Sequence, residues 1–354
     1  YFFDKTPESV QTWIQLWIPP STINESLVWI ICALGLNIVV GYAGLLDLGF
    51  VAFWAIGGYC AGWFMSGFFY QVNIHFGSMS PSTVPGIHLS FWAVMIIAGF
   101  IAAFFGLVIG APTLRLKSDY LALVTLGFGE IIPQVFVNGE DINGFNLSNG
   151  TKGISPVDII GVGSTRLGPF DLSYKFAIYF VLAAAMVFVS LRIRSGRLGR
   201  AWLAIREDEL AASMMGVPLM RTKLTSYAVG AFSGGIGGAI YATHVNGIFA
   251  ERFNFSISII LLAMVVLGGM GNVWGVIVGA LLMSWVNASG LPALGETINS
   301  TFGTDINFPS YSFFLFGAIL IGMMLFKRDG LLPEARLKMI SHENDDEASN
   351  TGGH

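Results

Sequence analysis

The chain has 354 residues, of which 54% are hydrophobic and only 11% charged, and its mean hydropathy is +0.68. Soluble domains carry about 25% charged residues, so this composition excludes an ordinary soluble protein. The net charge of −4 says little about partners. In a membrane protein the informative feature is instead the position of Lys and Arg in short loops, because it sets orientation.

Nine apolar runs follow one another along the chain, most of them near the roughly 20 residues that a helix needs to cross the bilayer core. We therefore predict an all-α, polytopic transmembrane helix bundle. The predicted spans are residues 24–40, 45–64, 91–114, 120–137, 176–192, 224–243, 257–267, 273–286 and 312–326. The seventh and eighth runs are short and flank a glycine-rich interruption, so a re-entrant pair is an alternative to two crossings.

Basic residues mark alternate connections. They concentrate in residues 192–223, follow the last span, and separate the third span from the fourth, which predicts that these segments are cytoplasmic. The connections 65–90 and 287–307 contain no Lys or Arg and are predicted to be external, together with 138–175. A cysteine at Ser164 is then expected to react with an impermeant reagent from outside.

The apolar runs and the charge pattern together divide the chain into three parts: an external segment 1–23, a transmembrane domain 24–327, and a cytoplasmic polar tail 328–354 for which we predict partial disorder. Nine spans place Tyr1 outside. A further span before Tyr1 would give ten and the common inside start.

Small residues recur at the four-residue spacing that lets membrane helices approach closely. These are Gly58 and Gly62, Gly106 and Gly110, Gly230, Gly234 and Gly238, and Gly271, Gly275 and Gly279. We interpret them as helix contacts, with hinges for alternating access as the alternative. Cys32 and Cys60 lie in apolar runs and are interpreted as small packing residues.

Two kinds of chemistry have no motif in the chain. Gly-Lys-Ser and Gly-Lys-Thr are absent, so a phosphate-binding loop is not expected and any ATP must be hydrolysed by a partner. The five histidines and two cysteines are scattered without metal-ligand spacing, so neither a metal nor another cofactor is predicted on this chain.

Four polar residues within apolar runs are candidates for the transport pathway: Asn37, Asp47, Tyr59 and Glu130. Asp47 follows a glycine-rich bend, so the alternative to a pathway role is a shallow position at the membrane interface. Glu130 lies in the middle of its run, where a carboxylate is expected to face a polar interior between helices rather than lipid. It is expected either to contact substrate or to brace neighbouring helices. For Asn37 and Tyr59 the alternative to a pathway role is hydrogen bonding between helices.

Residues 199–216 are predicted to form one helix on the cytoplasmic face, bounded by glycines. Its apolar residues include Trp202 and Ile205, and charged residues follow at 206–209. This mixture is too polar to span the membrane. It fits either a docking helix with Trp202 and Ile205 as anchors or a helix that rests on lipid headgroups.

Three long blocks, residues 36–49, 114–131 and 199–216, resemble the permeases of branched-chain amino-acid ABC importers, of the LivM type. The likeness continues through 149–155 and 265–271, so it covers roughly residues 24–286. Residues 148–155 depart from the family's Gly-Gly-Pro-Asn-Gly-Ile-Ser pattern.

The resemblance implies a heteromeric importer. A second, LivH-like permease, two cytoplasmic ATPases that bind ATP and Mg²⁺, and an extracytoplasmic binding protein would surround this chain in the plasma (inner) membrane of a bacterium. Membrane lipid and a small-molecule substrate are further expected partners, and nucleic acid is not. Residues 199–216 would be the coupling helix. The residues that we expect to serve ATPase coupling are Arg200, Ala201, Trp202, Ile205, Arg206, Glu207, Asp208, Glu209 and Gly216.

The resulting prediction is a permease subunit, not an enzyme, for branched-chain or other neutral amino acids. Urea is an alternative substrate because related permeases carry it. An ion-coupled secondary transporter is the rival class, but only Glu130 and Asp47 are available as membrane carboxylates for a coupling ion. A channel is a further rival, although the sequence shows no selectivity ring. The 138–175 connection is expected to meet the binding protein.

Overall fold

The computed structural model describes residues 17, 19–78, 80–81, 83–116, 118–162, 165–166, 171–303, 307–327 and 330–332. Ser164, most of the predicted external segment 1–23 and most of the tail 328–354 therefore lie outside the described residues.

The described residues are mostly helical. The α-helices in chain order are α1 Pro20–Asn37, α2 Phe50–Phe64, α3 Phe91–Thr113, α4 Ser118–Val137, α5 Leu172–Ser195, α6 Arg197–Glu207, α7 Glu209–Met214, α8 Leu219–Val245, α9 Phe255–Gly268, α10 Val273–Trp285, α11 Leu291–Phe302 and α12 Ser312–Phe326. The π-helical turns Ile38–Tyr42 and Val286–Gly290 extend α1 and α10. Short 3₁₀ turns are Gly67–Phe69, Gly150–Lys152, Ala250–Arg252 and Phe308–Tyr311.

Six helical stretches among the described residues are long and apolar enough to cross a membrane: Pro20–Tyr42, Phe91–Thr113, Tyr120–Val137, Leu172–Ser195, Ala250–Gly268 and Val273–Thr301. The apolar helices Phe50–Phe64 and Phe308–Met323 are shorter. The prediction of a polytopic helix bundle is confirmed in this form, and the count of nine spans stays a prediction.

The centre of the bundle is α8, which packs against α1, α2 and α3. Its glycines allow this proximity: a Cβ on Gly238 would lie 2.1 Å from the carbonyl oxygen of Trp54 in α2. A Cβ on Gly57 would lie equally close, 2.1 Å, to the carbonyl oxygen of Gly235. The interpretation of the small residues as close helix contacts is therefore confirmed for Gly238, and likewise for Gly106, Gly230 and Gly279, whose Cβ positions meet atoms of neighbouring helices. It is wrong for Gly271, which lies in a turn, and Gly58 and Gly62 meet Ile248, which lies outside the helices. Cys32 and Cys60 are buried free thiols as expected.

One predicted span begins later than the sequence suggests. Residues 43–49 form a turn, and α2 starts only at Phe50 rather than at residue 45. The turn follows from Gly44, whose φ of +68° lies in the left-handed region. The glycine-rich interruption between the seventh and eighth runs is likewise a turn between α9 and α10, where Gly269 and Gly271 have φ of +117° and +87°.

Two connections come together at one end of the bundle. Strands β1 Met65–Ser66, β2 Asn73–Phe76 and β3 Gly86–Leu89 form a sheet in the order β1-β3-β2, with β1 antiparallel and β2 parallel to β3. The 138–171 connection, which contains β4 Gly161–Val162 and β5 Thr165–Arg166, packs on it: Asp158 N donates to Met65 O at 2.6 Å. We call this the sheet end.

The opposite end carries the basic connection. There α6 and α7 lie against the end of α1 and the start of α8, and Arg206 Nη1 donates to Gly41 O at 2.5 Å. Residues 330–332 meet the end of α9 at the same end, where Leu331 N donates to Leu267 O at 2.8 Å. We call this the basic end. The two ends separate the connections as the charge pattern does.

Candidate translocation face and coupling segment

An open polar stripe runs along α4. It consists of Gly127, Glu130, Gln134 and Asn138, which follow one another at the three- or four-residue spacing that places residues on one helix face. Glu130, Gln134 and Asn138 are exposed, and a Cβ on Gly127 would meet no atom within 4 Å. We refer to these four residues as the polar stripe.

The packed face of α4 lies elsewhere on the helix. Thr125 Oγ1 accepts a hydrogen bond from Leu48 N at 3.1 Å, and a Cβ on Gly129 would lie 3.0 Å from the Cα of Gly49. Successive helix residues are about 100° apart, so Glu130 turns away from this contact. The close approach of α4 to the 43–49 turn therefore fixes which side of α4 stays open.

Glu130 is not enclosed between helices of this chain, because Gly129 occupies the packing position and Glu130 lies on the surface. The expectation that Glu130 faces a polar interior rather than lipid stays a prediction. Other exposed helix faces are apolar: α3 presents Phe100 and Phe104, and α5 presents Phe180 and Phe188. A carboxylate facing lipid at mid-helix costs about 2.5–3.5 kcal/mol on insertion scales. The exposed face of α4 therefore adds a carboxylate and two amides to apolar side chains such as Leu123 and Ile131, which are 67% and 56% exposed.

Asn37 is a structural link rather than a surface residue. It is fully buried, and its Oδ1 accepts a hydrogen bond from Gly271 N at 2.9 Å. This bond joins the end of α1 to the turn between α9 and α10. Asn37 therefore makes the hydrogen bond between helices that the sequence offered as the alternative to a pathway role.

Asp47 is also buried. Its Oδ1 accepts a hydrogen bond from Gly49 N at 2.8 Å just before α2 begins, and its carboxylate faces the hydroxyl of Tyr227 in α8. The side chain therefore shapes the turn that starts α2 and joins it to the central helix.

Tyr59 belongs to an aromatic cluster between α2 and α4. Its ring stacks on Phe136 at a centroid distance of 3.8 Å and an interplanar angle of 8°. The four predicted pathway residues consequently do not form one site: Glu130 alone is exposed. Gln134 was missed, although its place four residues after Glu130 was readable in the sequence.

The predicted helix 199–216 is two helices. Asp208 has extended backbone angles that end α6, and its Oδ1 accepts hydrogen bonds from Leu210 N and Ala211 N at 2.8 and 3.0 Å, which caps α7. An aspartate readily takes this N-cap role, which is why the break falls there. Gly199 lies inside α6, and Gly216, with φ of +84°, follows the end of α7 as expected.

The apolar anchors of this segment point into the chain. Trp202 is fully buried and its Nε1 donates to Thr222 O at 2.8 Å, while Ile205 is 5% exposed. The expectation that these two residues meet an ATPase is wrong, since both side chains are buried within this chain. Lys223 in α8 adds an ion pair to Glu209 at 2.6 Å.

The free surface of the segment is carried by α7 and its end. Leu210, Met214 and Met215 are 68%, 78% and 85% exposed. Leu210 and Met214 are four residues apart and share one helix face. Of the other predicted coupling residues, Arg200, Glu207 and Asp208 are exposed, and Ala201 and Arg206 are half-buried.

The sheet end carries exposed aromatic side chains, and some of them line cavities between the two connections. Tyr70, Phe76 and Phe145 are 70%, 74% and 55% exposed. A cavity of about 420 Å³ lies beside Tyr70 and is also lined by Asn146 and Asn149. Exposed aromatic groups with polar neighbours are typical of protein docking surfaces.

Comparison with known proteins defines the class. The chain matches the family described as "Branched-chain amino acid transport system / permease component" over residues 19–324. It is 34% identical to the high-affinity branched-chain amino acid permease LivM of Escherichia coli K12 over 329 residues, which cover 88% of this chain and 69% of that protein. No solved structure shows significant similarity.

More distant relatives widen this picture. A probable LivM of Methanocaldococcus jannaschii is 27% identical over 88% of this chain and 93% of that protein. The LivH permease of Salmonella typhimurium is 23% identical over 72% of this chain and 79% of its own length. The chain belongs to the family of branched-chain amino-acid transport system permeases and is a multi-pass membrane protein.

Proposed function

We propose that this chain pairs with a second, LivH-like permease to form the translocation pathway of an ATP-driven importer for branched-chain amino acids. Two ATPases that hold ATP and Mg²⁺ would dock at the basic end, and a binding protein would deliver substrate at the sheet end. Both the substrate class and the partners are carried over from the relatives' names and from the resemblance in the sequence. The observation that carries the proposal is the exposed carboxylate of Glu130.

The polar stripe gives the pathway its position. A carboxylate and two amides on a membrane helix need water, substrate or a partner protein, because hydrocarbon offers no hydrogen bonds. Within this chain the stripe stays open, so we place it against the second permease with the pathway between the two. Nine crossings between a basic cytoplasmic end and an external sheet end are part of this proposal.

The basic end suits ATPase docking through its exposed apolar residues. Leu210, Met214 and Met215 present side chains that water solvates poorly, while the buried Trp202 in α6 fixes the segment to α8. Burial of apolar side chains at the centre of an interface dominates its binding energy. A movement of the bound ATPase would reach α8 and the end of α1 through this segment.

We expect Met214→Asp combined with Leu210→Asp to reduce ATPase retention at least tenfold on purification of the complex, because both changes place a charge in the proposed interface. The folded yield of the permease is expected to stay normal, since both side chains are exposed. Val72→Asp, at a residue of the sheet end that is 42% exposed, is the matched control and should retain the ATPase. Full retention by the double variant would contradict the docking surface.

Orientation is tested with single cysteines, because the native Cys32 and Cys60 are buried and should not react. Thr151→Cys, at an exposed residue of the sheet end, is expected to react with an impermeant thiol reagent added outside intact cells. Met215→Cys, 85% exposed at the basic end, is expected to react only after the membrane is opened. The reverse pattern would contradict the proposed topology.

A further inference from the structure

A cavity of about 270 Å³ opens at the basic end. It lies between the turn after α1, the α3–α4 connection and the α6–α7 segment, and it contacts Gly44, Arg115 and Arg206. The proposed ATPase-docking surface does not account for this cavity, because Leu210 and Met214 are not among its lining residues. The residues of the polar stripe do not line it either.

The charge of the lining is predominantly positive. Arg115, Arg206 and Lys223 line the cavity with Glu209 as the single carboxylate among its lining residues. Lys223 Nζ lies 2.6 Å from Glu209 Oε1, so these two charges offset each other. Arg115 is exposed, and within the described residues its side chain has no hydrogen bond or ion pair. The arginines therefore give the cavity a positive field suited to an anion.

The remaining lining is apolar and lies where membrane spans end. Leu114 and Leu116 follow the last residue of α3, and Leu121 belongs to the first turn of the α4 span. Candidate spans that end at Thr113 and begin at Tyr120 place this connection at the level of the lipid headgroups. The cavity thus combines cationic groups with leucines at the boundary between hydrocarbon and water.

We infer that this cavity binds the phosphate of an anionic phospholipid, with Arg115 as the principal ligand and the leucines against the first part of its acyl chains. The guanidinium group donates paired hydrogen bonds that match phosphate oxygens. Basic pockets on the cytoplasmic side of membrane helices favour such lipids. The inference rests on the orientation in the proposed function. A bound lipid would join the α3–α4 connection to the segment that meets the ATPases.

The test uses the purified complex in nanodiscs of phosphatidylcholine with or without phosphatidylglycerol, which supplies the anionic headgroup. Native mass spectrometry measures lipid that stays bound on release from the nanodisc. Arg115→Gln removes the charge, and Arg221→Gln, an exposed arginine of α8 outside the lining, is the matched control. Inorganic phosphate is added in a separate arm as the competing source of the same chemistry.

We expect phosphatidylglycerol to be retained by the unchanged complex and by Arg221→Gln, and at least fivefold less by Arg115→Gln. Excess inorganic phosphate should leave it in place. Equal retention by both variants, retention of phosphatidylcholine instead, or displacement by phosphate would overturn the inference. So would a crosslink from position 115 to an ATPase, since protein would then occupy the cavity. Absence of bound phosphatidylglycerol from an unchanged complex that assembles refutes this inference alone, whereas failure of the unchanged complex to assemble refutes the proposed function.

Discussion

Gly57→Val is expected to abolish accumulation of the folded chain. The Cβ of valine would lie 2.1 Å from the carbonyl oxygen of Gly235 and 2.5 Å from its Cα, and both atoms belong to the backbone of α8. Backbone inside a packed helix cannot move aside as a flexible side chain can. Overpacking of a core costs on the order of 3 kcal/mol or more when the neighbour cannot yield, a large part of a protein's marginal stability.

The measurement is the monodisperse yield of the detergent-solubilised protein, read by size-exclusion chromatography of a fluorescent fusion. Gly322→Val in α12 is the matched control, because a Cβ there meets no atom within 4 Å. The control should give a yield close to that of the unchanged chain. Normal yield from Gly57→Val would show that α2 and α8 are not packed as described.

Glu130→Leu is expected to reduce uptake at least tenfold without loss of folded protein. Glu130 is exposed on α4, so its removal takes no hydrogen bond from the interior of this chain. A substrate that crosses along the polar stripe would lose a charged and hydrogen-bonding neighbour. A tenfold change in rate corresponds to about 1.4 kcal/mol in the barrier.

Two further variants sharpen this prediction. Glu130→Gln keeps size and most hydrogen bonding, so impaired uptake in that variant would assign the effect to the charge. Glu296→Leu, at an exposed glutamate of α11, is the control and should transport normally. Near-normal uptake by Glu130→Leu would remove the polar stripe from the pathway, and loss of the second permease from the purified complex would assign Glu130 to the contact between subunits.

Much of the fold was predictable because hydropathy and glycine spacing are local properties of the sequence. Apolar runs located the long helices, and the four-residue spacing of small residues located their contacts. The start of α2 was not predictable from hydropathy, since Leu45, Leu46 and Leu48 are apolar whether they lie in a helix or in a turn. The start of α2 is determined instead by the left-handed backbone of Gly44 and by the hydrogen bond that Asp47 accepts from Gly49 N.

The candidate site was less predictable because it depends on what covers each helix face, another helix of this chain or a partner protein. Trp202 marks an apolar face of α6, but the sequence does not say that α8 rather than an ATPase covers it. Glu130 and Gly129 are neighbours, and only the position of the 43–49 turn decides which of them lies on the packed side of α4. Periodicity defines a face, whereas tertiary structure determines its partner.

The most direct test of the proposed function is uptake of radiolabelled leucine by proteoliposomes that contain this chain, the second permease, both ATPases and the binding protein. We expect accumulation that requires ATP on the side of the ATPases, the binding protein on the opposite side, and this chain. Excess unlabelled isoleucine or valine should compete, and urea should not. Leucine uptake driven by an ion gradient without ATP, or ATP-driven uptake that persists when this chain is omitted, would contradict the proposed function.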